Sequence, residues 1–523
     1  MAIEVDAPAQ RAPMTHREVL RSLSGLLIVL FAAMVSSTVV SVSLPQIIGS
    51  LQGSQSQYTW VVTAMLLAST ASTPVWGKLA DLFDKKRLLI IAIAVFATAS
   101  LLCGLVQNTG QLIALRAVQG VGMGALQVLV QVIIGAMVSP KERGRYNGYL
   151  GGVMAVSTVG GPLLGGAITD ADWLGWRWCF FLAVPLTVIA LIMLIRTLHL
   201  EETRKPETKV DFLGAILIAS GVSLLLLWVT FVDTEFDWIS WQSGLMAGGS
   251  LVLLAAATWT ELKVSQPVVP VRVVARRDPA LAVLASLAVG MAMFGGAVFL
   301  GQYFQVSRGY SPTEAGLLTI PMMFGVLVAS AVTGQMVSRS GAVKRYIVTG
   351  AIVLMAGFGV LSRIDHETSL VYIGLGMLLV GTGVGMSMQN LVLVVQNSVP
   401  LRELGAASGA ITFFRTLGGA VGVSILGAVL ANQVADKISS GLAALGIDVG
   451  AGAGSDAATL DIASMPEPVR EVVRASYGDA TGHLFLISTS IAAVGVIAAL
   501  CLSRVRLRET VDLVEKTEEP VSA

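Results

Sequence analysis

Charge is scarce in this sequence. Charged residues make up 13% of the 523 residues and hydrophobic residues 54%, whereas a soluble domain carries about 25% charged residues. The composition therefore excludes an ordinary soluble protein and indicates a polytopic membrane protein. Cysteine and histidine are also rare: the three cysteines lie in or at the ends of separate apolar segments, and the four histidines lie in loops, in tails or at span ends. We accordingly expect no disulfide framework, no metal site, no cofactor and no nucleic-acid partner.

The sequence instead contains fourteen apolar segments long enough to cross a bilayer. The first is too long for a cleaved signal peptide, so we expect it to be retained. An even number of crossings places both termini on the same side of the membrane. The segments run over residues 23–49, 58–80, 88–107, 111–137, 147–169, 177–197, 212–232, 241–261, 280–305, 312–336, 346–362, 369–398, 404–431 and 481–502.

Positive charge indicates the orientation. Most of the 34 lysine and arginine residues fall in the tails and alternate loops that this topology places on one face. Cytoplasmic loops of membrane proteins carry an excess of Lys and Arg. We therefore predict that this face, with both termini, is cytoplasmic in a bacterial-type inner or plasma membrane.

An internal repeat divides the chain into two halves. A shift of 261 residues lays Gly144 on Gly405 and the glycines near Gly122 on those near Gly383. The repeat predicts two related six-span halves, with two unpaired spans between them. The expected divisions are a cytoplasmic tail (1–21), a six-helix bundle (22–198), a linker with two additional helices (199–278), a second six-helix bundle (279–502) with a long outer loop (432–480), and a cytoplasmic tail (503–523).

The fifth apolar segment carries a proline among closely spaced glycines. A proline bends a helix, and glycines one turn apart let another helix approach closely. Helix packing alone is the alternative interpretation of the glycines. The spacing G-P-x-x-G-G resembles the antiporter motif in the fifth helix of drug:proton antiporters of the major facilitator superfamily. The motif residues are Gly160, Gly161, Pro162, Gly165 and Gly166. The resemblance implies that Pro162 and the nearby glycines form the moving, leak-tight interface between the two halves.

A basic loop between the second and third segments resembles the cytoplasmic-loop signature of the same superfamily. The resemblance implies that Asp81 meets the start of the eleventh core helix, near Arg402 to Gly405, and holds the outward-facing state closed on the cytoplasmic side. Asp84 stands where the signature has glycine. An ordinary positive-inside loop is the alternative. The candidate gating residues are Gly77, Asp81, Asp84, Lys85, Lys86 and Arg87.

Two arginines lie inside predicted spans. Arg116, with Gln119 and Gly120, resembles the superfamily's R-x-x-q-G motif, whose arginine is linked to proton relay. Arg415 is its nearest counterpart in the second half. A guanidinium at membrane depth must face a water-filled cavity or enter a polar network. Alternatively, Arg116 lies near the outer end of its span and extends to the interface.

Acidic residues are missing from the interior of every predicted span. The first span is similar to a signature of fourteen-span relatives, but Ser36 and Ser41 replace its aspartate and asparagine. Glu314 comes closest, and the Ser-Pro-Thr-Glu run that it ends predicts helix capping or a protonatable role at the outer mouth. Arg116 and Arg415 would make the cavity positive, which favours neutral, amphiphilic or anionic substrates over dications.

Polar and aromatic side chains in several spans are candidates for lining this cavity. Each is also explained by helix packing. The candidates are Ser36, Ser41, Gln127, Gln131, Gln302, Gln305, Gln389, Asn390 and Phe413.

The resemblance implies an all-α membrane protein with the major facilitator fold: two pseudo-symmetric six-helix bundles plus two extra central helices. It also implies a proton-coupled efflux transporter, which we expect to be a monomer in the lipid bilayer and to export drugs, antibiotics or other amphiphilic compounds by alternating access. A lipid or amphiphile exporter to the cell envelope and a transporter-like sensor without coupled transport are the alternatives. An enzyme is not expected, because no nucleophile, base or metal cluster is visible.

Overall fold

The computed structural model describes residues 16–52, 55–171, 173–198, 200, 211–232, 236–264, 267–445, 466–504 and 507–508. Within these ranges the chain is helical, and the one strand-like pairing is an isolated bridge between Val232 and Phe236. The predicted all-α class is therefore confirmed. The two predicted tails fall mostly outside the described residues.

The first half forms long helices with short connections. Its helices are α1 (His16–Ser50), α2 (Gln55–Leu82), α3 (Lys85–Cys103), α4 (Thr109–Met137), α5 (Pro140–Asp170), the short α6 (Trp178–Phe181) and α7 (Ala183–Thr197). Polar residues fix where several of them begin. Asp84 accepts a hydrogen bond from the backbone N–H of Arg87 at 2.7 Å, and Asn108 accepts one from Gln111 at 2.9 Å. Such caps satisfy donors that the first helical turn leaves unpaired.

Three helices follow before the second half begins. They are α8 (Phe212–Phe231), α9 (Trp241–Lys263) and the short α10 (Val271–Val274). The second half contains α11 (Arg277–Gln302), which continues in a π-helical turn (Tyr303–Ser307), α12 (Pro312–Leu318), α13 (Ile320–Ser340), α14 (Val343–Leu361), α15 (Leu370–Asn397), α16 (Leu404–Ala444) and α17 (Glu467–Cys501).

Glu314 forms a capping box with Ser311 at the start of α12. The Ser311 backbone N–H donates to Glu314 Oε2 at 2.8 Å, and Ser311 Oγ accepts from the Glu314 N–H at 3.3 Å. The capping interpretation of Glu314 is therefore confirmed, since this carboxylate is occupied by the helix start.

The same close helix contacts recur in both halves. On α4, Gly122 packs against α3 and Gly124 against α2; on α15, Gly383 packs against α14 and Gly385 against α13. A Cβ atom at any of these positions would lie 2.9 Å or less from the neighbouring helix. The repeat in the sequence thus corresponds to a repeated packing arrangement. Close packing matters here because lipid tails are as apolar as the helices themselves.

Twelve helices in the described part of the chain are long and apolar enough to cross a membrane. Two long helices, α2 with 28 residues and α5 with 31, are not among them. Serines and threonines near the middle of α2 lower its hydropathy, and both helices pack against other helices of the bundle. The predicted count of fourteen spans needs these two helices as well and stays a prediction.

The inserted pair α8 and α9 packs beside the first and second halves at once. Ile218 and Val222 of α8 form an apolar cluster with Ala257 of α9 and with Phe413 of α16, and α8 also contacts α2. Phe413, which we predicted to line the cavity, is therefore buried in a contact with the inserted helices. Its aromatic ring fills the space between α16 and α8.

The two halves meet along two helix pairs, α2 with α16 and α5 with α13, which we call the seam. Glycines allow the close approach in both pairs. A Cβ atom on Gly77 would lie 2.5 Å from the carbonyl oxygen of Gly405, and one on Gly144 would lie 2.8 Å from that of Gly334. These contacts lie near the end of α2, the start of α5, the end of α13 and the start of α16. The seam is therefore closed at this end of the bundle.

The closed end carries the starts of α1, α3 and α14 and the ends of α7 and α17, and we call it the basic face. Ser22 of α1 donates to the carbonyl of Thr197 of α7 at 3.0 Å, and Lys86 of α3 donates to that of Ile195 at 2.8 Å. Lys344 of α14 donates to the carbonyl of Leu500 of α17 at 2.8 Å. Lysines thus satisfy carbonyl groups at the C-terminal ends of two helices.

The prediction of a long outer loop over residues 432–480 is wrong, because helices occupy both of its ends. Helix α16 continues to Ala444 and α17 begins at Glu467, so only residues 445–466 separate them. Val434, Ile438 and Leu442 recur every fourth residue and are buried, and this apolar stripe extends α16 beyond the predicted span. Glu467, which lies inside that predicted loop, instead begins the long helix α17.

Substituting Gly334 with valine should open the basic face, because any side chain there overlaps the backbone of Gly144. In a Cys501→Ser background, a cysteine at Ser338, which lies against Gly144, should then react faster with a membrane-impermeant maleimide. Gly359→Val is the matched control, since a Cβ atom there meets open space. Equal reaction rates in the two variants would show that the seam does not depend on this contact.

Candidate functional site

A bidentate polar contact joins Asp81 to the start of α16 across the seam. Asp81 Oδ1 accepts a hydrogen bond from the backbone N–H of Gly405 at 2.6 Å, and Oδ2 accepts one from Ala406 at 2.8 Å. The first N–H groups of a helix have no partner within the helix, and the helix dipole favours negative charge there. The carboxylate therefore satisfies two donors of the opposite half, at the helix end that the loop motif implies.

The carboxyl group of Asp81 has a pKa near neutral pH. Asp81 lies at the end of α2, beyond the apolar segment 58–80, and its carboxyl is enclosed although part of the side chain stays accessible. Burial raises the pKa of Asp81 to about 7, against the opposing effects of the two backbone hydrogen bonds and of the positive charges of Lys78 and Lys85. Both lysines are themselves buried. A small change in this surrounding charge is enough to change the charge of Asp81.

The other residues of the loop motif position the loop. Asp84 caps α3 by accepting from the backbone N–H of Arg87 at 2.7 Å. Lys86 ties the start of α3 to the end of α7 through the carbonyl of Ile195. Gly77 provides the close approach between α2 and α16. The motif thus combines one residue that bonds across the seam with several that place it there.

A second polar connection crosses the seam through Arg143 of α5, which is 1% exposed. Its Nη1 donates to Gln396 Oε1 on α15 at 3.3 Å, and Gln396 Nε2 donates to Ser408 Oγ on α16 at 2.9 Å. Arg143 also donates to the carbonyls of Val138 and Gly135 in its own half. Our reading of the sequence missed this role, because Arg143 lies among three closely spaced basic residues that are typical of a positive loop.

The segment after α17 also lies against the seam. Arg508 donates through Nη2 to the carbonyl of Gln396 in the last turn of α15 at 3.1 Å and to that of Val399, just after α15, at 2.8 Å. The carbonyl of Arg508 accepts from the backbone N–H of Lys141 at the start of α5, at 3.1 Å. Residue 508 therefore contacts both halves at the basic face.

Arg116 lies in a polar network inside the first half. It is 2% exposed, and its Nη1 donates to Gln119 Oε1 at 2.7 Å. Gln119 Nε2 in turn donates to Ser36 Oγ at 3.1 Å and to Ser100 Oγ at 2.8 Å. The structure thus brings Ser36, which we had selected in the first span, together with Arg116 and Gln119 of the fourth. The network links α1, α3 and α4, and the interface-directed alternative for Arg116 is wrong. Gly120 lies next to this network, where it lets α4 approach the backbone of Met65 on α2.

Arg415 is equally buried but less completely paired. It is 3% exposed, and its Nη1 has no hydrogen-bond partner among the described residues. Gln389, 5% exposed on α15, likewise has an unpaired Oε1 within the described part of the chain. Unpaired buried polar groups are costly, so such groups mark positions where a ligand or water would be stabilising.

The antiporter motif packs α5 against α1. A Cβ atom on Gly161 would overlap Thr38, and one on Gly165 would lie 2.9 Å from the carbonyl of Val39. Thr38 Oγ1 also donates to the carbonyl of Ser157 at 3.1 Å. These contacts lie within the first half, whereas α5 meets α13 several turns earlier, near Gly144. Our expectation that the motif glycines form the interface between the halves is therefore wrong.

Three further motif positions are only partly informative. Gly160 faces open space, with no atom within 4 Å of an added Cβ. Pro162 and Gly166 lie within α5, whose helical assignment continues through both. The bend predicted at Pro162 stays a prediction, and nothing is described of these two residues beyond the helix.

The predicted cavity residues divide into buried and exposed groups. Gln131 is buried on α4 and accepts from Thr412 Oγ1 on α16 at 3.4 Å, so it contacts the opposite half. Asn390 donates to the carbonyl of Met386 within α15 at 2.6 Å. Gln127 is half-buried, while Gln302 and Gln305 are exposed. The side chain of Ser41 lies outside the described residues.

The chain belongs to the major facilitator superfamily, whose family model matches residues 26–423. Members of this family are transporters and not enzymes. The chain is 35% identical over 480 residues to an uncharacterized MFS-type transporter of Mycobacterium tuberculosis strain H37Rv, covering 92% of this chain and 69% of the relative. It is 33% identical over 420 residues to the multidrug transporter protein MdtP of Bacillus subtilis, covering 80% and 77%. It is 31% identical over 501 residues to the efflux pump dotC of Dothistroma septosporum, covering 94% and 85%.

Solved structures support the same fold. The human organic anion transporter MFSD10 aligns with a TM-score of 0.60 at 14% identity, covering 91% of this chain and 99% of that one. The proton:xylose symporter XylE aligns with a TM-score of 0.61 at 13% identity, covering 93% and 95%. At these identities the likeness concerns the fold alone.

Replacing Arg143 with glutamine should destabilise the protein, because Gln396 and two carbonyls of the first half then lose a charged donor. Losing the partner of a buried polar group costs about 1–3 kcal/mol, so the melting temperature of the purified protein should fall. Arg145→Gln, at an exposed position on the same helix, should leave it nearly unchanged. If both variants melt at the wild-type temperature, the Arg143 connection contributes nothing to the closed seam.

Proposed function

We propose that this chain is a proton-coupled efflux transporter that exports small amphiphilic compounds by alternating access. Its superfamily supplies the transport activity, and relatives named multidrug transporter or efflux pump support export as its direction. The observation that carries the proposal is the Asp81 contact. A titratable carboxyl bonds two backbone N–H groups of the opposite half at the closed end of the seam.

In this mechanism, proton loss from Asp81 weakens the closed basic face. An exposed aspartate has a pKa of about 3.9, whereas the pKa of Asp81 in the closed seam is about 7. The closed seam therefore binds this proton more tightly than an open one does. The stabilisation from that proton is fully present at low pH and is lost as the pH rises through about 7. A less acidic compartment at the basic face would thus favour opening there.

The proposed transporter crosses the membrane fourteen times. The basic face would be cytoplasmic, as the distribution of Lys and Arg predicts, in a bacterial-type plasma membrane. All fourteen long helices, including α2 and α5, would cross the membrane and place both termini at that face, and one chain would suffice for transport. The closed seam then corresponds to an outward-facing arrangement.

The arginines favour substrates that are neutral, amphiphilic or anionic. Arg116 is engaged in its own network, so its charge is largely used within the first half. Arg415 keeps a buried Nη1 without a partner in the described residues. This unpaired donor would attract an acceptor or an anion and repel a dication.

A lipid or amphiphile exporter to the cell envelope is the second candidate. The observation that favours it is the helical extension of α16 and α17, which project past the predicted spans at 404–431 and 481–502 on the face opposite the basic face. Lys437 and Asp479 join the two extensions at 3.1 Å. A paired extension of this kind would guide an amphiphile away from the bilayer surface.

Uptake into inverted vesicles tests the proposed function. Vesicles that contain the purified protein and an imposed pH gradient, acidic inside, should accumulate a fluorescent amphiphile. Collapsing the gradient with a protonophore should stop the accumulation. Accumulation that does not depend on the pH gradient would refute proton coupling. Transport of phospholipids but not of other amphiphiles would favour the lipid exporter.

Asp81→Asn should abolish the pH response of the seam, because an amide cannot release the proton that distinguishes the two states. The distance between spin labels on Arg145 of α5 and Arg339 of α13 reports on seam opening. In the wild type it should lengthen between about pH 6 and about pH 8; in the variant it should not change. Asp436→Asn, at the far end of α16, is the control and should keep the response. A variant that opens like the wild type would exclude Asp81 as the titrating group.

Pro162→Ala should abolish export while leaving protein abundance intact, because a bend present in only one half would be lost. The corresponding position in the second half is Val423, which forms no such bend. Export of a fluorescent amphiphile from cells and the protein level should be measured together. Pro185→Ala, at an exposed position inside α7, is the control. Unchanged efflux in Pro162→Ala would rule out a role for the bend.

A further inference from the structure

Two acidic residues of the inserted helix pair meet beside the seam, at the basic face. Asp211 precedes α8, and its Oδ1 accepts from the backbone N–H of Gly214 at 2.9 Å. Glu261 lies in the last turn of α9, and its Oε2 accepts from the backbone N–H of Val269 at 3.2 Å. One oxygen of each carboxyl is therefore satisfied by the backbone.

The other oxygen of each carboxyl is buried and has no hydrogen-bond partner in the described part of the chain: Asp211 Oδ2 and Glu261 Oε1. Glu261 as a whole is only 3% exposed. A Cβ atom on Gly214 would overlap Asp211 Oδ2 and lie 2.6 Å from Glu261 Oε1. The two oxygens are thus at most about 5 Å apart, within the range where one carboxylate strongly disfavours ionisation of another.

The surrounding charges do not neutralise two carboxylates. Lys78 of α2, 5% exposed, acts on Glu261 and also on Asp81. The other nearby cations are engaged elsewhere. Lys263 lies over the ring of Trp259 at 3.6 Å, and Arg272 donates to the carbonyl of Leu262 at 2.9 Å.

The start of α16, which packs near this site, carries its charges in a pair of its own. Arg402 and Glu403 lie 3.5 Å apart, and their side chains are 65% and 36% exposed. Lys78 therefore acts on both Asp81 and Glu261, while the neighbouring Lys85 acts on Asp81. Doubly ionised, the Asp211 and Glu261 pair would leave an uncompensated buried charge, which is costly.

We propose that Asp211 and Glu261 bind one shared proton between Asp211 Oδ2 and Glu261 Oε1. The proton supplies the hydrogen bond that both buried oxygens lack and reduces the charge of the pair to −1. The ligand of this site is the proton itself. No oxidant, reductant or metal is needed, since proton binding and release exchange only with water at the basic face.

The shared proton also affects the Asp81 contact through Lys78. While the pair holds its proton, Lys78 has less negative charge beside it and supports an ionised Asp81. When the pair releases the proton, Lys78 is drawn toward the pair and Asp81 becomes harder to ionise. The inserted helices thereby sense the pH at the basic face and adjust the seam. The link to transport rests on the proposed function, but proton binding by the pair does not.

Infrared titration of the purified protein tests the shared proton without any substrate. A protonated carboxyl has a C=O band that isotopic labelling of Asp or Glu assigns. The wild type should show one titration step that carries both Asp and Glu character. Glu261→Gln and Asp211→Asn should each remove that same step. Glu367→Gln, at an exposed loop carboxylate, should leave it unchanged.

A variant that keeps both carboxyl groups tests the site even if Glu261→Gln or Asp211→Asn misfolds. Gly214→Ala keeps the backbone N–H but places a methyl group against both oxygens, so it should separate them and shift the step to lower pH. Gly248→Ala on α9, where a Cβ atom meets open space, should have no effect. Two independent steps in the wild type, or a step that survives both charge variants, would overturn the proposal. A step that follows Na⁺ or Mg²⁺ concentration at fixed pH would also overturn it, by identifying a cation site.

The effect of the Asp211 and Glu261 pair on seam opening can be measured separately. In the spin-label titration of Arg145 and Arg339, Glu261→Gln should move the opening midpoint to lower pH by several tenths of a unit, because Lys78 then acts mainly on Asp81. An unchanged midpoint would refute the connection. Neither measurement requires transport, so a protein that moves no protons with its substrate would refute the proposed function while leaving this site standing.

Discussion

The closed seam depends on a constraint of helix geometry: the first N–H groups of α16 have no acceptor within their own helix. At the seam they are partly removed from water, and an unpaired buried N–H is costly. Asp81 of the opposite half supplies both acceptors. Because the acceptor belongs to the other half, separating the halves exposes these donors to water again. One carboxyl thus joins closure of the seam to a titratable charge.

The close approach that brings Asp81 to α16 depends on glycine. Gly77, Gly405 and Gly144 place helix backbones in direct contact, and no side chain fits between them. Helix α8 of the inserted pair packs against both α2 and α16. The insertion is therefore positioned to influence the seam, both by apolar packing around Phe413 and by the charges near Lys78.

The sequence allowed the fold to be predicted because its signals are local: apolar length, glycine spacing and the repeat between Gly122 and Gly383. The Asp81 contact also followed from a motif. Three-dimensional partnerships were harder to predict. In the sequence, Arg143 resembles the other basic residues of its loop, and only the fold brings Gln396 beside it. Glu261 lies at the end of a predicted span, where a carboxylate is common and its position does not indicate a function. The motif glycines Gly161 and Gly165 were assigned to the wrong neighbour, because glycine spacing shows that a helix approaches but not which helix.

Single-molecule fluorescence energy transfer across the seam can follow its opening and closing during transport. Dyes on the basic-face ends of α5 and α13 would be followed in liposomes under an imposed pH gradient while substrate is being transported. If Asp81 controls the seam, two distances should interconvert, with the shorter one favoured when the basic face is acidic. A single distance that stays constant while transport continues would contradict it.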